Sequence, residues 1–260
     1  MKNKAEGLKR AAGHIKTPVV ILIWLLVWLV TWLIFSERKL GMEILFPSPM
    51  AVFSSLSELI TQKEFYISCF NSLYKVILGW GMGIIIGTML GIITSLSAII
   101  KAFFEPVLHI IKATPVASFI VLFLVLMSSK QVPVFTCALI SIPVVWANVY
   151  EGIASPDKQI LEMADFFRMK KSKRITDIYC PAVLPYFSAA AKTTMGLSWK
   201  AAIAAEVICT PKETIGAGIY NAKIYLETPS LFAWTITVII LSVILEKILG
   251  MILKKYGGLK

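Results

Sequence analysis

Charge is scarce in this 260-residue chain. Only 16% of the residues are Asp, Glu, Lys or Arg, against about 25% in an ordinary soluble domain. Apolar residues make up 57% and the mean hydropathy is +0.78. Together these exclude an ordinary soluble fold and predict a polytopic membrane protein. Acidic residues are the scarcer kind, 15 against 26 basic, for a net charge of +11. That surplus is divided among segments between apolar runs and is not gathered into one stripe. No nucleic acid partner is therefore expected.

Chemistry-bearing patterns are missing as well. The four cysteines, Cys69, Cys137, Cys180 and Cys209, include no C-x-x-C pair. They read as small apolar fillers rather than disulfides or metal ligands. The two histidines, His14 and His109, lie far apart. The first reads as a solvated residue of a basic tail, the second as an interfacial, hydrogen-bonded side chain. No G-x-x-x-x-G-K-[ST] occurs, so the chain has no P-loop of its own, and neither H-E-x-x-H nor G-x-S-x-G is present. No catalytic residue, cofactor or metal site is expected. A removable signal peptide is not expected either. The first apolar run is too long for a typical h-region and no small-residue cleavage site follows it.

What the chain does have is length in its apolar runs. A helix needs about 20 apolar residues to cross the hydrocarbon core. Six segments qualify: 17–35, 76–100, 106–127 (interrupted by Pro115), 132–153 (containing Pro143), 185–209 and 231–249. The expected fold is all-α, with six transmembrane helices. The first span carries Trp24, Trp28 and Trp32 on one face. With the N-terminus inside, the inner segments 1–16, 97–104, 154–184 and 250–260 hold fifteen Lys and Arg. The outer segments 36–72, 128–131 and 210–230 hold six. By the positive-inside bias, both termini and the 154–184 loop are expected in the cytoplasm. In the first outer segment, Ser48 and Pro49 signal a helix start, so a short surface helix is expected over 50–60. Residues 211–229, with Gly216 and Gly218, predict a turn and a short re-entrant or surface helix.

Three patterns single out residues. Gly79, Gly83, Gly87 and Gly91 recur every four residues on the second span. Such a ridge lets another helix backbone approach closely within lipid. On the fifth span lie Lys192, Lys200 and Glu206, and charges inside a span usually face protein or water. Lys192 is near enough to the inner boundary to snorkel, whereas Lys200 is near the middle. Trp199, Ala202 and Glu206 share one face, with Lys200 about 100° away. These four residues are candidates to line a pathway, and an internal charge pair, or a pair with another helix, is the alternative. The third pattern is the 154–184 loop. Ser155-Pro156-Asp157 offers cap signals, and a helix is expected over 157–167. Its apolar tips predict docking into a partner groove. The basic run Lys170, Lys171, Lys173 and Arg174 equally suits anionic membrane lipid.

The same loop resembles the signature of binding-protein-dependent ABC importer permeases, E-A-A-x3-G-x9-[IV]-x-L-P. Glu162, Met163 and Ala164 take the first three places, Ile178 the apolar place, and Cys180-Pro181 the final pair. The match extends over nearly the whole chain after residue 45. Phe46-Pro47-Ser48-Pro49, Ser72 to Lys75, Ala113-Thr114-Pro115, Ser198-Trp199 and Ala204-Ala205-Glu206 resemble the nitrate/sulfonate/taurine branch. Three positions depart from the signature. Arg168 stands at the glycine, Met163 at an alanine and Cys180 at a leucine. With arginine in place of glycine, either the helix continues through 168 or its closing turn takes another form.

The resemblance implies a type I importer permease in the bacterial cytoplasmic membrane. Residues 1–16 form its inner tail, 17–35 a first span, and 36–72 an outer segment. A core of five spans over 73–250 includes the 154–184 loop, and 251–260 form a second tail. Two copies form the pathway, and two ATPase subunits grip the coupling helix through Glu162, Met163, Ala164, Phe167, Arg168 and Pro181. An extracytoplasmic solute-binding protein delivers the substrate. A small anion such as a sulfonate, taurine or nitrate is expected, with a thiamine-precursor pyrimidine as an alternative. From another class, a stand-alone carrier or channel driven by an ion gradient through Lys200 and Glu206 is the competing expectation.

Overall fold

A computed structural model describes residues 17–36 and 47–256. The expected tail over 1–16, Phe46 and the rest of 37–46, and residues 257–260 lie outside the described residues. Eleven α-helices follow one another among those described: α1 (Thr17–Ser36), α2 (Pro49–Thr61), α3 (Lys63–Leu96), α4 (Ala98–Ala113), α5 (Val116–Leu126) and α6 (Val132–Ala154), then α7 (Lys158–Phe166), α8 (Lys171–Arg174), α9 (Cys180–Cys209), α10 (Ile215–Ile224) and α11 (Thr228–Tyr256). A π-helical turn, Ile175–Tyr179, joins α8 to α9. The described residues contain no strand, so the fold is all-α.

Among the described residues, α3, α6 and α11 are long and apolar enough to cross a membrane, and a fourth span results if α4 and α5 count as one. The third apolar run is not a straight span. α4 and α5 meet at 103°, broken at Thr114 and Pro115. The cause is local. Proline has no N–H to give and disfavours helical dihedrals in the residue before it, and Thr114 is extended at φ −77°, ψ 133°. The second run also begins earlier than its apolar pattern predicts. α3 starts at Lys63, one residue after α2, because Gln62 alone makes the extended turn between them. α2 itself starts as its sequence signals: the Ser48 hydroxyl accepts the Ala51 N–H at 3.2 Å and Pro49 follows.

α6 is the central strut. It packs along both α3 and α9, and α5 also lies against it. α3 and α6 run parallel and meet along the glycines. A Cβ on Gly79 would collide with the Val134 carbonyl oxygen, and one on Gly83 would lie 2.5 Å from the Ser141 Cβ. On Gly87 and Gly91 it would meet the Val145 and Val149 Cβ atoms at 2.8 Å. No side chain fits between these two backbones.

Across the bundle, polar side chains tie the helices in pairs. Trp146 Nε1 donates to Thr94 Oγ1 at 2.9 Å, Trp80 Nε1 to Thr194 Oγ1 at 3.0 Å, and the Ser141 and Ser198 hydroxyls share a bond of 2.8 Å. Such bonds replace the hydrophobic driving force that lipid does not supply between helices. The apolar core gathers Phe65 and Val76 of α3, Cys137 of α6, Met195 and Trp199 of α9, Ile215 of α10 and Trp234 of α11.

The glycine contact yields a paired test. Gly83→Ala lowers stability by about 1–3 kcal/mol, the usual cost of overpacking a close contact. Gly81→Ala, with no atom within 4 Å of its Cβ, does not. Thermal unfolding of the detergent-solubilised protein, followed by gel filtration, separates the two outcomes.

Candidate functional site

The 154–184 loop builds its site from caps inward. Asp157 opens α7, its Oδ1 accepting the Gln159 N–H at 3.0 Å. The helix lasts nine residues and closes in a Schellman turn. The Met169 N–H donates to the Ala164 carbonyl at 2.9 Å and the Arg168 N–H to the Asp165 carbonyl at 3.0 Å. That pattern needs a left-handed residue just beyond the helix. Arg168 supplies it at φ 50°.

The expectation that arginine would extend the helix or alter its turn is therefore corrected. The turn is the one that glycine favours, held here by a residue that carries a Cβ. Its geometry also accounts for the spacing of the motif. Ala164, only 4% exposed, supplies the carbonyl that accepts the closing bond, and the glycine place is the left-handed residue of the turn.

Ile160, Met163, Phe166 and Phe167 are exposed around this helix, Phe166 at 83% and Phe167 at 71%. An apolar cluster exposed on its own chain marks a surface for either a protein contact or a membrane. The two rings stand edge to face, 5.4 Å between centroids. Glu162 is exposed beside them. Arg174 braces the loop from its other side, with Nη1 and Nη2 at 2.6 and 3.5 Å from the two Asp165 carboxylate oxygens. That hydrogen bond holds the guanidinium above its ordinary pKa. Beyond Arg174 the backbone stays helical, but the Cys180 N–H reaches back five residues to the Ile175 carbonyl. The widened turn directly precedes Pro181, which has no N–H to continue a regular ladder.

Of the four residues expected on a pathway, the structure separates one from three. Trp199, Ala202 and Glu206 are sealed inside the chain at 0–1% exposure, whereas Lys200 is exposed on α9, outside that buried face. Trp199 Nε1 donates to the Val238 carbonyl at 3.1 Å.

Glu206 is the centre of a polar knot. Its Oε2 accepts from Ser72 Oγ at 2.7 Å and from the Gly216 N–H at 3.2 Å, and Lys75 Nζ lies 3.7 Å from Oε1. Ser72 Oγ in turn accepts the Ile215 N–H at 3.0 Å, and the Thr214 hydroxyl accepts the Ala217 N–H at 3.2 Å. The carboxylate thus takes one of the first N–H groups of α10, that of Gly216, where the helix dipole favours negative charge. Gly216 has no alternative, because a Cβ there would collide with that of Glu206. Of the two pairings the sequence leaves open for Glu206, within its own helix or with another, the structure takes the second, and Lys200 is not its partner. The actual partners come from α3, where Ser72 is 134 residues away, and from α10.

The exposed face of α9 carries Ala189, Lys192, Thr193, Leu197, Lys200 and Ala204. Beside it, α11 contributes Glu246, a residue that sequence reading passes over because it lies near the end of a strongly apolar run. Among the described residues no group of three or more His, Cys, Asp or Glu is placed to hold a metal.

A parallel pair of helices locked by glycine, a helix pair bent at Pro115, and a capped helix that exposes aromatic side chains describe an α-helical membrane protein. The chain belongs to the family described as binding-protein-dependent transport system inner membrane component, which matches residues 83–257. It is an ABC importer permease, and a multi-pass membrane protein. Among its relatives is SsuC of Bacillus subtilis, a permease named for aliphatic sulfonates transport, 25% identical over 73% of this chain and 68% of its own. The nitrate import permease protein NrtB of Synechocystis is 24% identical over 81% and 77%. Solved structures share the fold. A chain of an amino acid ABC transporter superposes with a TM-score of 0.62 at 17% identity, covering 78% of this chain and 96% of its own. A chain of an alginate-importing bacterial ABC transporter gives 0.60 at 14%, covering 95% and 99%.

Two substitutions probe these features. Arg168→Gly relieves a left-handed residue and raises stability by about 1 kcal/mol, read as a higher unfolding temperature. Glu206→Ala strands Lys75 and the Gly216 N–H at the start of α10. It costs about 3–5 kcal/mol, the penalty for breaking a buried pair, read as loss of monodisperse protein on gel filtration.

Proposed function

We propose that this chain is half of the membrane pathway of an ATP-driven importer for a small anion. The observation that carries this reading is the coupling loop. A nine-residue helix, capped at both ends, holds Phe166 and Phe167 out of the protein within a segment matching the family signature. An exposed apolar helix tip of this kind fits a groove in a soluble partner. The partner is an ATPase subunit, because this chain has no P-loop. Glu162, Met163, Phe167 and Arg168 form the knob, the buried Ala164 holds its closing turn, and Pro181 sets where the loop re-enters the membrane.

Two copies of the chain face each other across the pathway, two ATPase subunits bind the loop end, and an extracytoplasmic solute-binding protein docks opposite. The bias of Lys and Arg supports a cytoplasmic loop end with both termini on that side. ATP draws the ATPase subunits together, the coupling helices follow, and the spans rock outward as rigid bodies. Hydrolysis resets them. Within the pathway the exposed face of α9 is the wall, and Lys200 its cation. Relatives named for sulfonates and nitrate support an anionic substrate.

The purified chain is expected to hydrolyse no ATP alone and to co-purify with a P-loop ATPase. Ala164→Asp, which puts a charge into the capped turn, lowers ATP-driven uptake in proteoliposomes about tenfold, within the usual range of coupling free energies. The permease remains folded and abundant in the membrane. Undiminished uptake in that variant, or uptake driven by an ion gradient with no ATPase present, overturns the reading.

A further inference from the structure

Three charged side chains outside the coupling loop gather where α9 meets α11. Lys192, Gly196 and Lys200 succeed one another at intervals of four residues, so they share one side of α9. Both lysines are exposed. Glu246 reaches across from α11, its Oε1 only 3.0 Å from where a Cβ on Gly196 would stand. The carboxylate therefore rests against bare backbone between the two lysines, with each lysine's Cα about 6 Å along the helix axis from Gly196. A cavity of about 260 Å³ opens on the Lys192 side of this contact, lined by Lys192, Glu246, Leu249 and Gly250, with Lys200 beyond its lining.

Ionisable groups on a transmembrane helix are costly and face either protein or water. These three are exposed on their own chain. The geometry points to a charge-selecting station on the pathway: Lys192 and Lys200 attract the translocated anion, and the Glu246 carboxylate holds the anion's place between them. The inference rests on the α9 face being the pathway wall. With Glu246 in place the station carries one net positive charge, and a seated anion takes up the full charge of both lysines only when that carboxylate swings aside. Gly196 makes the arrangement possible, since any side chain there would crowd the carboxylate. Glu246 is then the specificity-determining residue, because it sets how strongly the lysines draw an anion and repel a cation.

The test uses the assembled transporter in proteoliposomes. The permease carries Thr193→Cys, with Cys69 and Cys180 replaced by alanine. The probes are a small sulfonate-bearing methanethiosulfonate and its quaternary ammonium counterpart, and the ratio of their labelling rates is read. Both reagents are expected to reach the introduced thiol, the anionic one faster. Lys192→Gln and Lys200→Gln each lower the ratio about tenfold, and Glu246→Gln raises it about tenfold, the scale of electrostatic focusing in a lined cleft. Gly196→Ala changes no charge but displaces the carboxylate, and it raises the ratio in the same direction. A ratio that none of these variants moves overturns the station and leaves the pathway wall standing. Failure of both reagents to react overturns the pathway wall, and the inference with it.

Discussion

The close contact of α3 with α6 is the constraint on which the remaining architecture depends. In lipid, helices gain nothing by hiding apolar surface from one another, so they hold together by fit and by polar bonds. Four glycines bring α3 within backbone distance of α6, from Val134 at one end to Val149 at the other. That approach sets the register of two parallel helices over about three turns. With α3 and α6 fixed, the hydroxyls of Ser141 and Thr94 stand where Ser198 and Trp146 need them. α9 then docks on α6 as well. Its outward face, with Lys192, Thr193 and Lys200, is left exposed in this chain.

The Glu206 knot secures the far end of α9 from the coupling loop. It joins α3, α9 and α10 through one carboxylate, with α10 presenting its N-terminus to the charge. A buried charge is tolerated there because each hydrogen-bonded partner is itself anchored. Ser72 serves twice, as donor to Glu206 and as acceptor for Ile215. Substitution at any one of these positions therefore loosens more than one helix.

Much of this was legible in the residues. The glycine spacing points to a close helix contact, and the Ser48-Pro49 and Asp157 signals begin real helices. Other features were not, for physical reasons. An apolar run has the same composition whether straight or bent, so the 103° break at Thr114 and Pro115 looked like an interruption in one span. Lys63 to Lys75 lack a long apolar stretch, yet they extend α3 because contacts with α10 and α11, such as Phe65 on Trp234, replace lipid. The partners of Glu206 on α3 lie more than a hundred residues away, beyond any local pattern. Arg168 shows the converse. Its residue type argued against a left-handed turn, and the hydrogen bonds from residues 168 and 169 enforce the turn regardless.

The unbroken helical path from Lys171 through the π turn into α9 has a mechanical meaning. From Lys171 to Cys209 it runs roughly 58 Å at 1.5 Å per residue. A rod of that length, gripped at one end by the coupling loop and pinned at the other by Glu206, works as a lever. Tilting it by about 10° moves one end against the other by roughly 10 Å. With the Glu206 end as the pivot, that travel falls to the loop end, so a movement as wide as a helix at the loop reaches the Glu206 end as a change of angle alone.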